Sequence, residues 1–427
     1  MTNPFSPAAA RAISGPSWLV KRRVDAAEKL ATTVWPSATE EIWRYSRVDD
    51  FDPERYHPDP RPTKPETAPG GGPFAAEVGA RAGLVVIHNG HVVHRELDDA
   101  LAAQGVWLGD IADAEEKARE RLGTVTDSSP DAFTLLHDGF MTGGACLHVP
   151  EGVVIEKPVV VVHWSEGDGA AIFPHTLLIA EPGSEVTLVE RAASAPAAKG
   201  MLVDAVVELL VDDRAHVRYV GVQEHGPQTW QIALQRAHLG REATLRSSAV
   251  ALGGEYARLR SESILLGEGA ESDLLAVYFG DGDQMLDFRT LQEHRAPRTR
   301  SDLLFKGAVE DNARSVYSGL VHLLPDADKA KAYQTNRNLV LTEGASAESI
   351  PNLIIEANDV QCSHASTVGP IDEDQLYYLE TRGIPPEDAE RLIILGFFDD
   401  VFDRLPVPDL VGSLRRSVID KLERGTA

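Results

Sequence analysis

The sequence is poor in cysteine, with Cys146 and Cys362 as its only two in 427 residues. Two thiols allow at most one internal disulfide and cannot by themselves supply a four-thiolate zinc or iron-sulfur site, so metal chemistry here must borrow ligands. Positive charge is short as well: 41 Lys and Arg against 66 Asp and Glu leave a formal charge of -25. That balance repels phosphate backbones and anionic lipid surfaces, so neither a nucleic-acid nor a membrane partner is expected. No apolar run approaches the roughly 18 residues that span a bilayer. The Ala-rich start is broken by Arg11 and Pro16, unlike the uninterrupted core of a secretory signal. The expectation is a cytoplasmic protein whose thiols stay reduced. G-x-x-x-x-G-K-[ST], H-E-x-x-H and G-x-S-x-G are all missing, so no catalytic residue is assigned and no ATP site is expected in this chain.

What is present divides into three stretches. Residues 1–80 read as a helical segment followed by a connector. Val20, Val24, Ala27 and Ala31 recur at helical spacing, Ser37 and Glu40 stand at capping-box spacing before a predicted second helix, and the Pro- and Gly-rich run FDPERYHPDPRPTKPETAPGGGP follows. Residues 81–370 switch to a period of two, in short runs dense in Val, Ile, Leu and Thr, punctuated by Pro182-Gly183, Asp212-Asp213, Gly226-Pro227, Gly240, Gly253-Gly254 and Gly267. In the run from Thr229 to Ala237, Trp230, Ile232 and Leu234 alternate with Gln231, Ala233 and Gln235, which predicts one buried face. Evenly spaced strands without long helical crossovers, over a span too long for one sandwich, predict a mainly β protein with a right-handed parallel β-helix core. No strict hexapeptide repeat is visible to suggest a left-handed helix. Residues 371–427 return to helical periodicity, with Asp372 as a predicted cap, Gly383 as a stop, Ala389, Leu392, Ile393 and Gly396 on one side of a helix, and Leu410, Leu414, Val418 and Leu422 four apart on the last. These helices either close the open end of the β-helix or offer a docking face.

In the segment 359–365 Cys362 and His364 stand two apart in a predicted strand and face the same side. A thiolate and a neutral imidazole are a plausible ligand pair for iron or zinc, and an adjacent imidazole eases deprotonation of a thiol. Two ligands do not close a tetrahedral site. A C-x-H pair is more often a packed thiol beside a hydrogen-bonded imidazole, and Cys146 with His148 repeats the spacing. His88, His91 and His94 flank Asn89-Gly90, a strong hairpin-turn signal, and read as exposed turn residues rather than a metal cluster. Asp281, Asp283 and Asp287 would suit a polysaccharide lyase or hydrolase on a β-helix, but they surround a predicted turn and read as solvated charges.

The stretch PNLIIEANDVQCSHASTVGPIDEDQLYYLETRGIPPEDAERLIILGFF closely resembles the C-terminal signature of the SufB/SufD family of iron-sulfur cluster assembly proteins. ATEEIWRYS, LHVPEGVVIEKPVVV and KAYQTNRNLVLTEGASAESIPNLII resemble it too, so the likeness covers most of the chain. Cys362-Ser363-His364 is similar to the SufD branch, where SufB carries Glu-His-Glu, and the cysteine that SufB places after a Phe-Tyr pair is absent beside Tyr377-Tyr378-Leu379. Ala365-Ser366 and Tyr377 depart mildly from the usual SufD wording. The resemblance implies a non-catalytic scaffold with helical segments flanking a right-handed β-helix. It would pair with SufB through that β-helix, bind the SufC ATPase through its C-terminal helices, and support cluster formation and iron acquisition. A homodimer stays open where SufB is absent. It also implies that His364, with Cys362, lies at the SufB interface, in a cluster-assembly and metal site that the partner completes. No tightly bound cofactor is expected, only a transient iron-sulfur cluster shared with SufB.

Overall fold

The computed structural model describes residues 3–58, 77–126 and 131–425; most of the Pro-rich connector lies outside them. Its core, from Ala145 to Gly369, is a parallel β-solenoid in which strands alternate between two sheets, eleven- and ten-stranded. Each strand hydrogen-bonds in parallel to the strand two further along the chain: Met201–Val211 to Thr229–Leu239, that to Tyr256–Leu265, and so on to Ser346–Ile355. The ten-stranded sheet runs in step from Glu185–Ser194 to Gln361–Gly369. The repeat is about 30 residues per coil, within the range of solenoid repeats. The mainly β reading and the parallel helical architecture therefore hold.

Regular corners make this register possible. Where the chain passes from the eleven-stranded to the ten-stranded sheet, one residue per coil takes positive φ: Gly183, Arg214, Glu242, Gly269, Arg298 and Lys329. Each donates its N–H to a carbonyl in the corner of the next coil: Asp213, Arg241, Glu268, Pro297, Asp328 and Asp359 in turn. The left-handed conformation costs a non-Gly residue about 1 kcal/mol, and a continuous hydrogen-bond ladder around the corner offsets it.

The strand-rich region begins at Gly83, in the hairpin Gly83–His88 and His91–Leu97, with Asn89 and Gly90 both at positive φ as the turn signal predicts, although Gly83–His88 is buried throughout rather than on alternate residues. It is then interrupted by three helices, Asp99–Ala102, Glu116–Arg119 and Ala132–Phe140, before the solenoid starts. The antiparallel strand His91–Leu97 covers the first edge of one sheet and Trp107–Asp110 that of the other. No helix among the described residues is long and apolar enough to cross a membrane.

Both solenoid flanks are covered. The helix Ser17–Leu30 forms as predicted, although its buried face is Leu19, Arg23, Val24, Ala26, Ala27 and Leu30 rather than the stripe expected. Buried Arg23 donates to the carbonyls of Met141 at 2.6 Å and of Ile13 and Ser14 at 3.0 Å. The second predicted helix does not form. Ser37 N–H donates to Glu40 Oε1 at 3.1 Å, half of a capping box, but only one 3-10 turn, Glu41–Trp43, follows before Tyr45 at φ 64. This segment lies instead on the outer face of the eleven-stranded sheet, where Arg258 donates to Ile42 O at 2.7 Å and Arg289 to Arg44 O at 2.6 Å. Trp230 is therefore buried outward, while Gln235 is buried in the lumen on Ser247 and Ser261, so that both faces of this strand are covered.

On the opposite flank the helices Pro386–Phe402 and Pro408–Gly425 lay Ile394, Phe398, Val401, Phe402, Leu410, Leu414 and Val418 against Val162, Val189, Val222, Val277 and Phe279. Leu392, expected on the buried side, is 49% exposed. Two lysines fix these helices to the solenoid. Lys306 donates to Phe397 O at 2.7 Å, and Lys421 donates to Leu252 O at 2.6 Å and reaches Asp281 at 2.7 Å. The helices thus line the flank and leave the last coil open.

Candidate functional site

That last coil is built from Ser346–Ile355 and Gln361–Gly369, each the terminal strand of its sheet, and both burial patterns are mostly exposed or half-buried. A terminal strand pairs on one side only, so half of its backbone N–H and C=O groups face outward. Ile354, Ile355, Val368 and Tyr333 are exposed around it.

Cys362 and His364 both lie on Gln361–Gly369, opposite Ala332 and Gln334 of the previous coil. Gln334 reaches the hydroxyl of Tyr317 across the solenoid, which places this face toward the lumen, and alternation puts Cys362 and His364 there together. The strand expected from sequence brings the two residues to one side, yet their surroundings differ. Cys362 is half-buried against the cluster of Val321, Leu323, Ala327, Ala330, Ala332 and Ala357. Burial pushes its thiol up, opposite to the activation that a neighbouring imidazole would bring. His364 is exposed. Among the described residues no three His, Cys, Asp or Glu side chains are grouped to hold a metal ion, Cys362 and His364 included. Cys146 is fully buried, its thiol pushed up to about 12 by burial, and is chemically inert.

Two other groups of residues depart from expectation. His88 is fully buried, 3.1 Å from Glu166, whereas His94 is half-buried and 2.8 Å from Glu96. His88 and His94 therefore lie in different surroundings, each beside its own glutamate. Asp287 is not a loop charge: it is completely buried, accepting from Arg258 at 2.6 Å, Arg289 at 2.7 Å and the Tyr256 hydroxyl at 2.9 Å. Burial pushes this carboxyl up, and the two guanidiniums more than reverse it, holding it below its ordinary value. Asp281 pairs with Lys421 and Asp283 accepts from Asn312, so the three aspartates form no common groove.

Sequence reasoning did not find the polar interior. His163, Glu190, Tyr219 and His225 line a lumenal cavity of about 70 Å³. Burial holds both histidines neutral, at about 3, and pushes Glu190 up to about 7. On the outer side of the eleven-stranded sheet, under the helix Ala132–Phe140, His137 and His175 hydrogen-bond through ring nitrogens at 2.9 Å, and His175 stands 3.2 Å from buried Glu208. Nearer the open end, Gln334, Asn336 and Asn338 point into the lumen and bond to Tyr317 and Tyr278. The spacing of these three amides, two apart inside a strand, was a visible signal for this inward polar row.

Residues 163–397 match the family described as SUF system FeS cluster assembly, SufBD core domain, and residues 12–161 match the SufBD protein N-terminal region. The iron-sulfur cluster assembly protein SufD of Bacillus subtilis is 32% identical over 339 residues, which cover 78% of this chain and 76% of that protein. An iron-sulfur cluster assembly SufBD family protein of Mycobacterium tuberculosis is 34% identical over 278 residues, covering 63% of this chain and 68% of the relative. One from Staphylococcus epidermidis is 27% identical over 330 residues, covering 76% of this chain and 71% of the relative.

Proposed function

The chain belongs to the SufBD family of SUF-system iron-sulfur cluster assembly proteins, and on that premise we propose that it acts as a SufD-type, non-catalytic scaffold subunit that pairs with SufB and binds the SufC ATPase. The observation that carries this reading is the unfinished last coil. It exposes two strand edges and several apolar side chains, and it holds Cys362 and His364 where a second β-solenoid would meet them.

In this reading a strand of SufB continues one or both sheets, the main-chain groups supply affinity, and Ile354, Ile355 and Val368 supply buried apolar area. His364 offers an imidazole lone pair to the nascent cluster, which is cargo rather than a resident group, and SufB supplies the remaining ligands. Cys362, packed and with its thiol pushed up, contributes mainly by holding the strand. The exposed helix Glu373–Thr381, capped by Asp372 and presenting Tyr377 and Tyr378, joins the last coil directly to the two flank helices. SufC bound there would transmit its ATP-driven motion to the interface.

Co-expression with SufB and SufC tests the reading. A stable complex that gains a cluster anaerobically is expected, and His364→Ala should leave the complex assembled while reducing cluster yield. A chain that recruits neither partner, or an H364A complex with undiminished yield, would overturn it.

A further inference from the structure

Gln334 is the register neighbour of His364 on the preceding coil and points the same way. It is 2% exposed, and its amide is held from one end: Nε2 donates to the Tyr317 hydroxyl at 2.6 Å. Tyr317 in turn shares a hydrogen bond with Thr290 at 3.1 Å, so when its proton goes to Thr290 its lone pair faces Gln334. The other end of the amide, Oε1, is buried with no hydrogen-bond partner. An amide carbonyl so placed is a fixed acceptor awaiting a donor.

The arrangement is built into the fold. Gly319 sits beside it in the facing sheet, and a Cβ there would stand 1.9 Å from Gln334 Nε2 and 2.2 Å from the Tyr317 hydroxyl. Any other residue at 319 would push the amide away from the tyrosine. Thr290, Tyr317 and Gln334 thus form a short chain across the lumen that ends under the strand carrying His364.

We propose that Gln334 is a positioning residue for His364: when the exposed imidazole turns onto its register neighbour, the unfilled Oε1 accepts one ring N–H, which fixes the tautomer and leaves the other nitrogen, with its lone pair, toward the open edge. This deepens the reading of His364 as a ligand to the nascent cluster and rests on it. An imidazole that donates through one nitrogen presents the other as the metal ligand, the arrangement that oriented histidine ligands share.

The tautomer can be read on the chain alone, from the ring ¹⁵N shifts of His364 in histidine-labelled protein, with its signals identified by their loss in His364→Gln. One tautomer should dominate in the unsubstituted protein. Gln334→Met, similar in length but without an acceptor, should move the ratio toward that of free imidazole by about tenfold. Gln334→Glu, which keeps an oxygen at that point, should restore the dominance. Tyr317→Phe releases the amide from its far end and should weaken the preference in the same direction, which gives an independent variant if the methionine protein folds poorly. A ratio unchanged in Q334M, or in Y317F where Q334M does not fold, overturns the proposal. Q334M that loses the tautomer yet assembles clusters normally with SufB and SufC would leave the positioning intact and remove the ligand role.

Discussion

The two ends of one solenoid are finished differently. At the first coils an antiparallel strand lies along each sheet edge, the N-terminal segment covers one face, and the strands Gly83–His88, Ala145–Val149 and His175–Ala180 are buried almost throughout. At the last coil nothing among the described residues covers either edge, and Gln361–Gly369 is mostly exposed. Sheet edges left open invite pairing, and proteins ordinarily blunt them. The chain spends its covering elements on one end and keeps apolar side chains and an imidazole on the other. Stability should therefore depend on the closed part and partner chemistry on the open one, and substitutions can pull the two apart.

The largest effect should come from Asp287→Ala in the closed part. It leaves Arg258 and Arg289 buried without their carboxylate and loosens the grip of both on the backbone at Ile42 and Arg44. Removing one partner of such a cluster costs about 3 to 5 kcal/mol, measurable as a lower urea midpoint. Because Asp287 is held below its ordinary value in the folded protein, its contribution is fully present above the unfolded carboxylate range and is lost as pH falls from there through its lowered folded value. Asp287→Asn should remove that part of the acid-side decline.

Glu190 should act with the opposite sign. Burial raises it from 4.5 to about 7, so between those values the folded state holds a proton that the unfolded state releases, and stability falls as pH rises through the window. Glu190→Gln should flatten that slope, a difference on the order of 2 kcal/mol between the ends of the window. Equal slopes in both proteins would show that the cavity is better solvated than its lining suggests.

Smaller still on stability, and large on association, is Val368→Glu at the open end. Val368 is 43% exposed, so the isolated chain should unfold within about 0.5 kcal/mol of the unsubstituted one. A buried carboxylate at the interface should cost SufB binding about 2 kcal/mol or more. Binding unaffected by V368E would move the interface away from this coil.

The closed part was the more legible half of the sequence. Apolar runs of period two, turn residues between them and the Asn89-Gly90 signal gave strands and hairpin because each strand's fate depends on neighbours one coil away with the same pattern. Asp287 misled because nothing in one strand reveals that Arg258 lies directly across in the preceding one. The predicted second helix failed for a related reason: the segment 37–45 carries capping residues, but stacking Trp43, its ring centre 3.9 Å from the Arg258 guanidinium, outweighs a short isolated helix. At the open end, position and facing of Cys362 and His364 followed from alternation alone. The rise of the Cys362 thiol did not, since it depends on the alanine-rich cluster beneath it. The helices 386–402 and 408–425 were visible as helices, while their place on the flank follows from valines spread over seven separate strands.

His364→Ala should have the smallest effect on the fold. The side chain is exposed on a terminal strand, so thermal unfolding of the chain alone should move no more than an ordinary surface substitution, within about 0.5 kcal/mol. On the proposed function the same change removes the imidazole offered to SufB, and cluster yield in the complex should fall while SufB and SufC still co-purify. Cys362→Ser separates the two halves of the motif. If the thiol is a ligand, the serine protein loses yield as H364A does. If it packs, as its place against the alanine-rich cluster opposite Ala332 and its raised pKa favour, the serine protein loses a little stability and keeps its yield. A cluster lost in C362S without loss of stability would place the thiol, and not only the imidazole, in the assembly chemistry.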